Sequence, residues 1–250
     1  METLTASRRT LLGAGASLLA ASQAQARPRG NAPDPRVMRI LERYDSFGDK
    51  ASGGPGDTAS GEWLEGELEA LGYACTRQGF DAPAFEGEAR LTCGTATATL
   101  IPQAIVRPTP PSGITAPLSI DGRGGIALVV LPYARWSTIK GEPERRVRAA
   151  IAAGAEAIVL VTTGPTGEAV ALNAPLEPPL FDRPVAILAP KDVGPFLEAA
   201  QSGASATLAI EGRAFRRPAF NLTARLDRGA EKALVISTPR SGWFGCAGER

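Results

Sequence analysis

The sequence predicts an α/β protein in which a small βαβ-type unit interrupts a larger mixed lobe. Three observations carry that expectation. Two short apolar runs, Ile126–Leu131 and Ala157–Thr162, have the length and branched-residue content of strands covered on both faces. Between them, 144–153 places Val147, Ala150 and Ile151 on one side of a helix and Arg145, Arg146 and Arg148 largely on the other, with Gly154 suited to end it. Outside this unit the pattern changes to helical spacing near the N-terminus and strand-like runs on both flanks. A strand, helix and strand within roughly 35 residues form a βαβ crossover, whose hand is almost always right. Val185–Leu188, a helix over 191–201 and a strand over Ala206–Ile210 extend the same unit.

Taken in order, residues 27–35 are a Pro/Gly-rich tether, and Pro35–Tyr44 carries Val37, Ile40, Leu41 and Tyr44 at helical spacing with Pro35 in the first turn. Residues 45–57, ending in Ser-Gly-Gly-Pro-Gly-Asp, read as an irregular turn; they lack the GxxxxGK[ST] form of a phosphate loop. From Thr58, Trp63, Leu64, Leu68 and Leu71 share a helix face that Gly72 terminates. Tyr73–Phe80 and Ala89–Cys93 read as strands, and Ile101–Ile120, rich in proline, as an irregular passage. Gly122–Gly125 is a turn into the Ile126 strand. Ala219–Leu226 alternates like a strand, and Ala233–Ser237 is a second, fully apolar one.

Composition narrows the function. The 27 Lys+Arg against 26 Asp+Glu leave no basic stripe, which argues against a nucleic-acid partner. With 44% apolar residues, the 28 Gly and 21 Pro signify turns rather than disorder. No histidine occurs, so the usual neutral-pH general base and the commonest metal ligand are both missing. Three cysteines at long intervals match no zinc spacing.

Residues 1–26 read as a signal peptide of the twin-arginine type. Arg8-Arg9 precedes a short small-residue apolar segment, and Ala24-Gln25-Ala26 is a small-x-small cleavage site. The apolar segment is too short and too rich in Ala and Gly for a stable membrane span. A periplasmic or secreted location is therefore expected, and loss of Glu2, Arg8 and Arg9 would leave the chain formally neutral. Export makes a Cys75–Cys93 disulfide chemically possible. In that setting the Asn221-Leu222-Thr223 sequon reads as chance.

Two resemblances add to this reading. The runs GGIALVV, VRAAIAAGAEAIVLV and RPVAILAPKDVGPFLEAAQSGASATLAI resemble the protease-associated domain, a small α/β module inserted into exported peptidases. On either side, the Gly-rich turn leading into a helix that ends Ala-Leu-Gly, and the passage AFNLTARLDRGAEKALVIS, resemble the di-zinc aminopeptidases of peptidase family 28. Together they imply four segments: the signal at 1–26, a first part of a peptidase-like lobe at 27–95, an inserted protease-associated domain at 96–212, and a return to the lobe at 213–250.

The chemistry of that family does not carry over. The resemblance implies a His-x-Asp pair at the end of the Ala233–Ser237 strand and a later carboxylate bridging two zinc ions. This chain offers Ser237, Thr238 and Pro239 there, and hydroxyls are poor zinc ligands. Glu249 falls about where the bridging carboxylate would, but one carboxylate does not hold two metals. No catalytic, cofactor-binding or metal residue is therefore assigned, and zinc is not expected to bind. Ser237, Ser241 and Cys246 are alternative nucleophiles that would need Lys232 or a carboxylate as base; Trp243-Phe244 reads as core or pocket wall. The chain stops at Arg250, before the elements that the resemblance would supply, so the expectation is a truncated lobe. It would expose apolar surface, self-associate, or be completed by another polypeptide. Two functions follow: an exported metallopeptidase-related protein without activity, or a peptide- or protein-binding module built on the protease-associated domain.

Overall fold

The computed structural model describes residues 34–103, 105–120, 122–174 and 178–242. The signal-peptide residues, Cys246, Trp243, Phe244 and Glu249 lie outside them. The chain divides into two units, residues 1–43 and 44–250, the division falling in the last turns of the first helix. That helix, α1 (Pro35–Asp45), begins where the apolar spacing and Pro35 predict. Within the first unit its Val37, Ile40 and Leu41 are exposed.

The second unit contains seven strands closed into a ring, with helices on its outside. After α2 (Pro55–Ala70) come β1 (Ala74–Cys93), β2 (Ala96–Pro102), β3 (Ile114–Ser119), β4 (Ile126–Val130), α3 (Glu142–Ala152), β5 (Ala157–Val161), β6 (Val185–Leu188), a short 3₁₀ turn, α4 (Gly194–Ser202) and β7 (Ser205–Arg225). Strands β3, β4, β5 and β6 run parallel. Around the rest of the ring, β6 meets β2, β2 meets β1, β1 meets β7 and β7 meets β3, all antiparallel.

The sequence-predicted βαβ units are present as strand, helix and strand. Ile126, Leu128, Ile158, Leu160, Ile187 and Leu188 are buried, and Val147 of α3 and Phe196 of α4 close over the same core. Burial on both faces is why these strands read as continuous apolar runs rather than alternating ones. On the outer side of α3, Glu142 and Glu144 pair with Arg145, Arg146 and Arg148 three or four residues on, which is how three arginines within about one turn are accommodated on the helix.

The flanks differ from the expectation in four respects. Tyr73–Phe80 and Ala89–Cys93 are parts of one long strand, β1, and Ala206–Ile210 and Ala219–Leu226 largely merge into β7; the two pair continuously from Ala74–Arg225 to Thr92–Thr207. Gly87 faces Gly212 in that ribbon, and a Cβ on either would strike the other strand's backbone. The passage 101–120 is not wholly irregular, because β2 reaches Pro102 and β3 begins at Ile114, with Pro117 near the strand's end. Cys75 and Cys93 are both free. They sit at opposite ends of β1, and at about 3.3 Å per residue that separation is far beyond the roughly 7 Å Cα limit of a disulfide.

The fourth difference matters most for function. Ala233–Ser237 forms no strand, and Leu234, Val235 and Ile236 are 87%, 84% and 83% exposed. A fully apolar strand needs neighbours at its edges and cover on its faces. Among the described residues nothing supplies either, because β1 and β7 already close the ring on each other.

Candidate functional site

The residues singled out for chemistry do not converge. Lys232, Ser237, Thr238, Pro239 and Ser241 are all exposed on the segment after β7. The Thr238 hydroxyl reaches only the neighbouring Pro239 carbonyl, at 3.4 Å. Among the described residues no hydrogen bond joins Ser237 or Ser241 to Lys232 or to a carboxylate, so neither hydroxyl has the activating base that nucleophilic catalysis requires. Nor does any group of three or more His, Cys, Asp or Glu lie together among the described residues where a metal could be held. Hydroxyls, a proline and isolated acids do not fit a di-zinc centre.

The organised polar cluster lies where the segment re-enters the fold, and sequence reasoning missed it. Residues 52–57 are not a free turn. Pro55 takes the first position of α2, where its missing N–H costs nothing, and Asp57 sits in the first turn. The Asp57 carboxylate reaches back to accept the Gly53 N–H at 2.8 Å, and its charge faces the positive end of the helix dipole. Asp57 is 1% exposed.

Its partner arrives from the other end of the chain. Arg240 Nη1 lies 2.8 Å from Asp57 Oδ1, and its Nη2 donates to Asp57 Oδ2 at 3.2 Å and to the Phe220 carbonyl at 2.8 Å. Arg240 Nη1 also donates to the Asp57 carbonyl. The guanidinium rests on the Phe220 ring, 4.4 Å from its centroid. The Asp57 Oδ1 contact is a charge contact without good hydrogen-bond angles, which leaves the pair dependent on its charge as well as its bonding. Removing one member of such a buried pair costs on the order of 3–5 kcal/mol, because the other charge is left unpaired.

Glycine makes room for this arrangement. A Cβ on Gly61, nearly two turns into α2, would lie 2.6 Å from both Arg240 Nη1 and the Phe220 ring. Around the pair, the Tyr44 hydroxyl donates to the Arg240 carbonyl at 2.5 Å, and the Gly242 N–H donates to the Lys50 carbonyl at 3.0 Å. Arg217 of β7 grips the same loop, donating from Nε to Ser52 O at 2.8 Å and from Nη2 to Ala51 O at 3.1 Å. Lys50 is fully buried; its Nζ donates to Gly48 O at 2.7 Å and stands 4.6 Å from the Tyr44 ring centroid.

What this cluster can do chemically is limited by how completely it is satisfied. The Arg240 guanidinium spends its donors on Asp57 and Phe220, so it does not present a fork to an incoming carboxylate or phosphate. Asp57 is neutralised by the same contact. The arrangement fastens chain to chain. Elsewhere the charge environment is that of surface pairs: a hydrogen bond from Arg148, assisted by Lys140, holds the Glu144 carboxyl below the usual glutamate range, and Glu168 raises Lys191. The Cys75 thiol is pushed up by burial and by Glu69 and Glu65, which disfavours the reactive thiolate.

With this geometry in place, the chain was compared with known proteins. No protein-family model and no curated protein matches it. Among solved structures it superposes on a zinc aminopeptidase from Bacillus subtilis with a TM-score of 0.55 at 20% identity, over 74% of this chain and 44% of that one. It superposes on a peptidase M28 precursor from Shewanella amazonensis SB2B with a TM-score of 0.53 at 18% identity, over 74% and 48%. At these identities the likeness is one of fold: a partial aminopeptidase-like α/β fold. The chain spans less than half the length of either solved chain. Among the described residues no helix is long and apolar enough to cross a membrane.

Proposed function

We propose that this chain is an exported, metallopeptidase-related protein of the family 28 type that does not itself hydrolyse peptides, with residues 96–212 acting as its protease-associated unit. One observation carries the reading. On a fold like that of zinc aminopeptidases, the segment where the sequence resemblance would place metal ligands offers Ser237, Thr238 and Pro239, exposed and joined to no carboxylate or thiol cluster among the described residues. Water activation of the kind two zinc ions provide needs imidazole and carboxylate donors held in fixed geometry. The Arg8-Arg9 signal pattern supports a periplasmic or secreted location.

A second reading, a peptide- or protein-binding module, is favoured by the exposed Leu234–Ile236 run, which is apolar surface without cover. On that reading the partner is a peptide or a polypeptide that completes the lobe. Zinc analysis of the purified protein together with an aminopeptidase assay on a leucyl chromogenic substrate tests the first reading. Substoichiometric zinc and no turnover above background are expected. Stoichiometric, tightly held zinc with turnover would overturn it.

A further inference from the structure

The exposed stretch 226–239 leaves the ring at the end of β7 and returns at Arg240, where the chain is fastened through its carbonyl and both terminal guanidinium nitrogens. That contrast is not required by the core. β4, β5 and β6 bury their residues without any contribution from 226–242. Yet the loop before α2 depends on the returning chain at several points. Gly242 supplies a hydrogen bond to the Lys50 carbonyl, Arg240 supplies the charge opposite Asp57, and Asp57 in turn holds Gly53. Gly53 itself has a φ of +72°, which glycine adopts without strain.

We infer that Asp57 and Arg240 form a latch through which the segment after β7 orders the loop 48–54, with Lys50 sealed inside only while the latch is closed. It is a conformational device. Closed, it pins the far end of the stretch 226–239, whose near end is held by β7, and so fixes how far that stretch can move. Open, it releases the returning chain and the Lys50 part of the loop, while Arg217 still holds Ala51 and Ser52 to the folded ring. The coupling runs through contacts rather than distance: Arg240 touches Asp57 and Phe220, Tyr44 holds the Arg240 carbonyl, and Tyr44 forms one wall of the Lys50 site.

Lys50 provides the readout. It is 0% exposed, whereas Lys140, Lys191 and Lys232 are exposed and serve as internal references. The full chain is treated with an amine-reactive acylating reagent, and labelling of each lysine is followed by peptide mass spectrometry, with amide exchange of β5 reporting the ring. In the unmodified protein Lys50 labels far more slowly than Lys140. Arg240→Ala raises Lys50 labelling relative to Lys140 by at least about tenfold while β5 stays protected, as expected when a local opening replaces a closed buried pair. Asp57→Asn, which keeps the shape and removes the charge, acts in the same direction, and Tyr44→Phe produces a smaller rise. Lys50 protection unchanged in Arg240→Ala would overturn the proposal. So would loss of β5 protection in both Arg240→Ala and Asp57→Asn, because the pair would then belong to global folding rather than to a latch.

Discussion

The exposure of residues 234–236 makes a quantitative prediction about a pair of isoleucines. Ile158 lies in the middle of β5 and is fully buried, whereas Ile236 is 83% exposed. Both stand in runs that the sequence presents as buried strands. Truncating Ile158 to alanine removes three carbons from a close-packed interior, and partial relaxation leaves a cavity, so the cost is about 2–5 kcal/mol. Truncating Ile236 removes carbons that are already in water. Surface substitutions away from caps, pairs and special backbone lie within about 0.5 kcal/mol.

Urea denaturation followed by circular dichroism measures both changes, with the slope of the transition checked for constancy. For a chain of this size each kcal/mol moves the melting temperature by about 2–4 °C. Ile158→Ala should therefore lower it by several degrees or more, and Ile236→Ala by no more than about 2 °C. A loss of about 2 kcal/mol or more for Ile236→Ala, in dilute protein shown to be monomeric, would refute the reasoning. It would mean that Ala233–Ser237 is packed within its own chain, as the sequence pattern alone suggests. The same loss appearing only at high protein concentration would instead locate the burial between copies, and sedimentation velocity separates the two cases.

Two further outcomes follow from the second unit. Glu144 has a carboxyl held below its usual range by Arg148 first and Lys140 second, so it contributes stability above the ordinary glutamate pKa of about 4.3 and loses that contribution as pH falls through its lowered folded value. Glu144→Gln should thus be less stable than the parent near neutral pH by about 0.5–1 kcal/mol, the two curves converging in acid; these are exposed arginine and lysine partners, which keeps the effect small. Gly125 has a φ of +65°, and a Cβ there would collide with the Pro117 carbonyl, whereas Gly94 in the β1–β2 turn has a φ of +57° and nothing within 4 Å. Gly94→Ala should cost about 1–2 kcal/mol, the strain alone, and Gly125→Ala about 1–3 kcal/mol more, both read from urea midpoints.

The inner half of the fold was legible because its signals are local. An unbroken apolar pentapeptide covered on both faces looks the same in the sequence as in the structure, and Gly154 ends the turn after α3 as its position implies. The outer half was legible only in fragments. β1 carries Gly79, Gly87 and Pro83, and its middle alternates only through the small residues Ala82 and Ala84, so the apolar signal there is weak and only the partner strand reveals that 74–93 is one element. β3 was hidden by its proline, which sits at an edge of the pairing near the strand's end. The run 233–237 failed in the opposite direction. Its residues have strong strand preference, but preference decides nothing where, among the described residues, no neighbouring strand is present to pair with.

The polar cluster was illegible for a different reason, and that reason says something about where to look. Asp57 and Arg240 are 183 residues apart, and each alone has an ordinary explanation: an acid in the first turn of a helix, and an arginine beside a proline. A weak signal was nevertheless present in the glycines. Gly56, Gly61 and Gly66 weaken this helix, and a helix tolerates such losses where backbone or a bulky cation must approach closely, as at the first two. Here the approach is by the carbonyls of Phe47 and Asp49 at Gly56, and by the Arg240 guanidinium and Phe220 at Gly61. Although Gly66 is open and a helix glycine alone does not announce such a contact, at Gly61 the space is filled by a group distant in sequence. Its identity follows from charge: the buried carboxylate one position after Gly56 admits only a cation, and the arginine that returns after the exposed run is the group that reaches it.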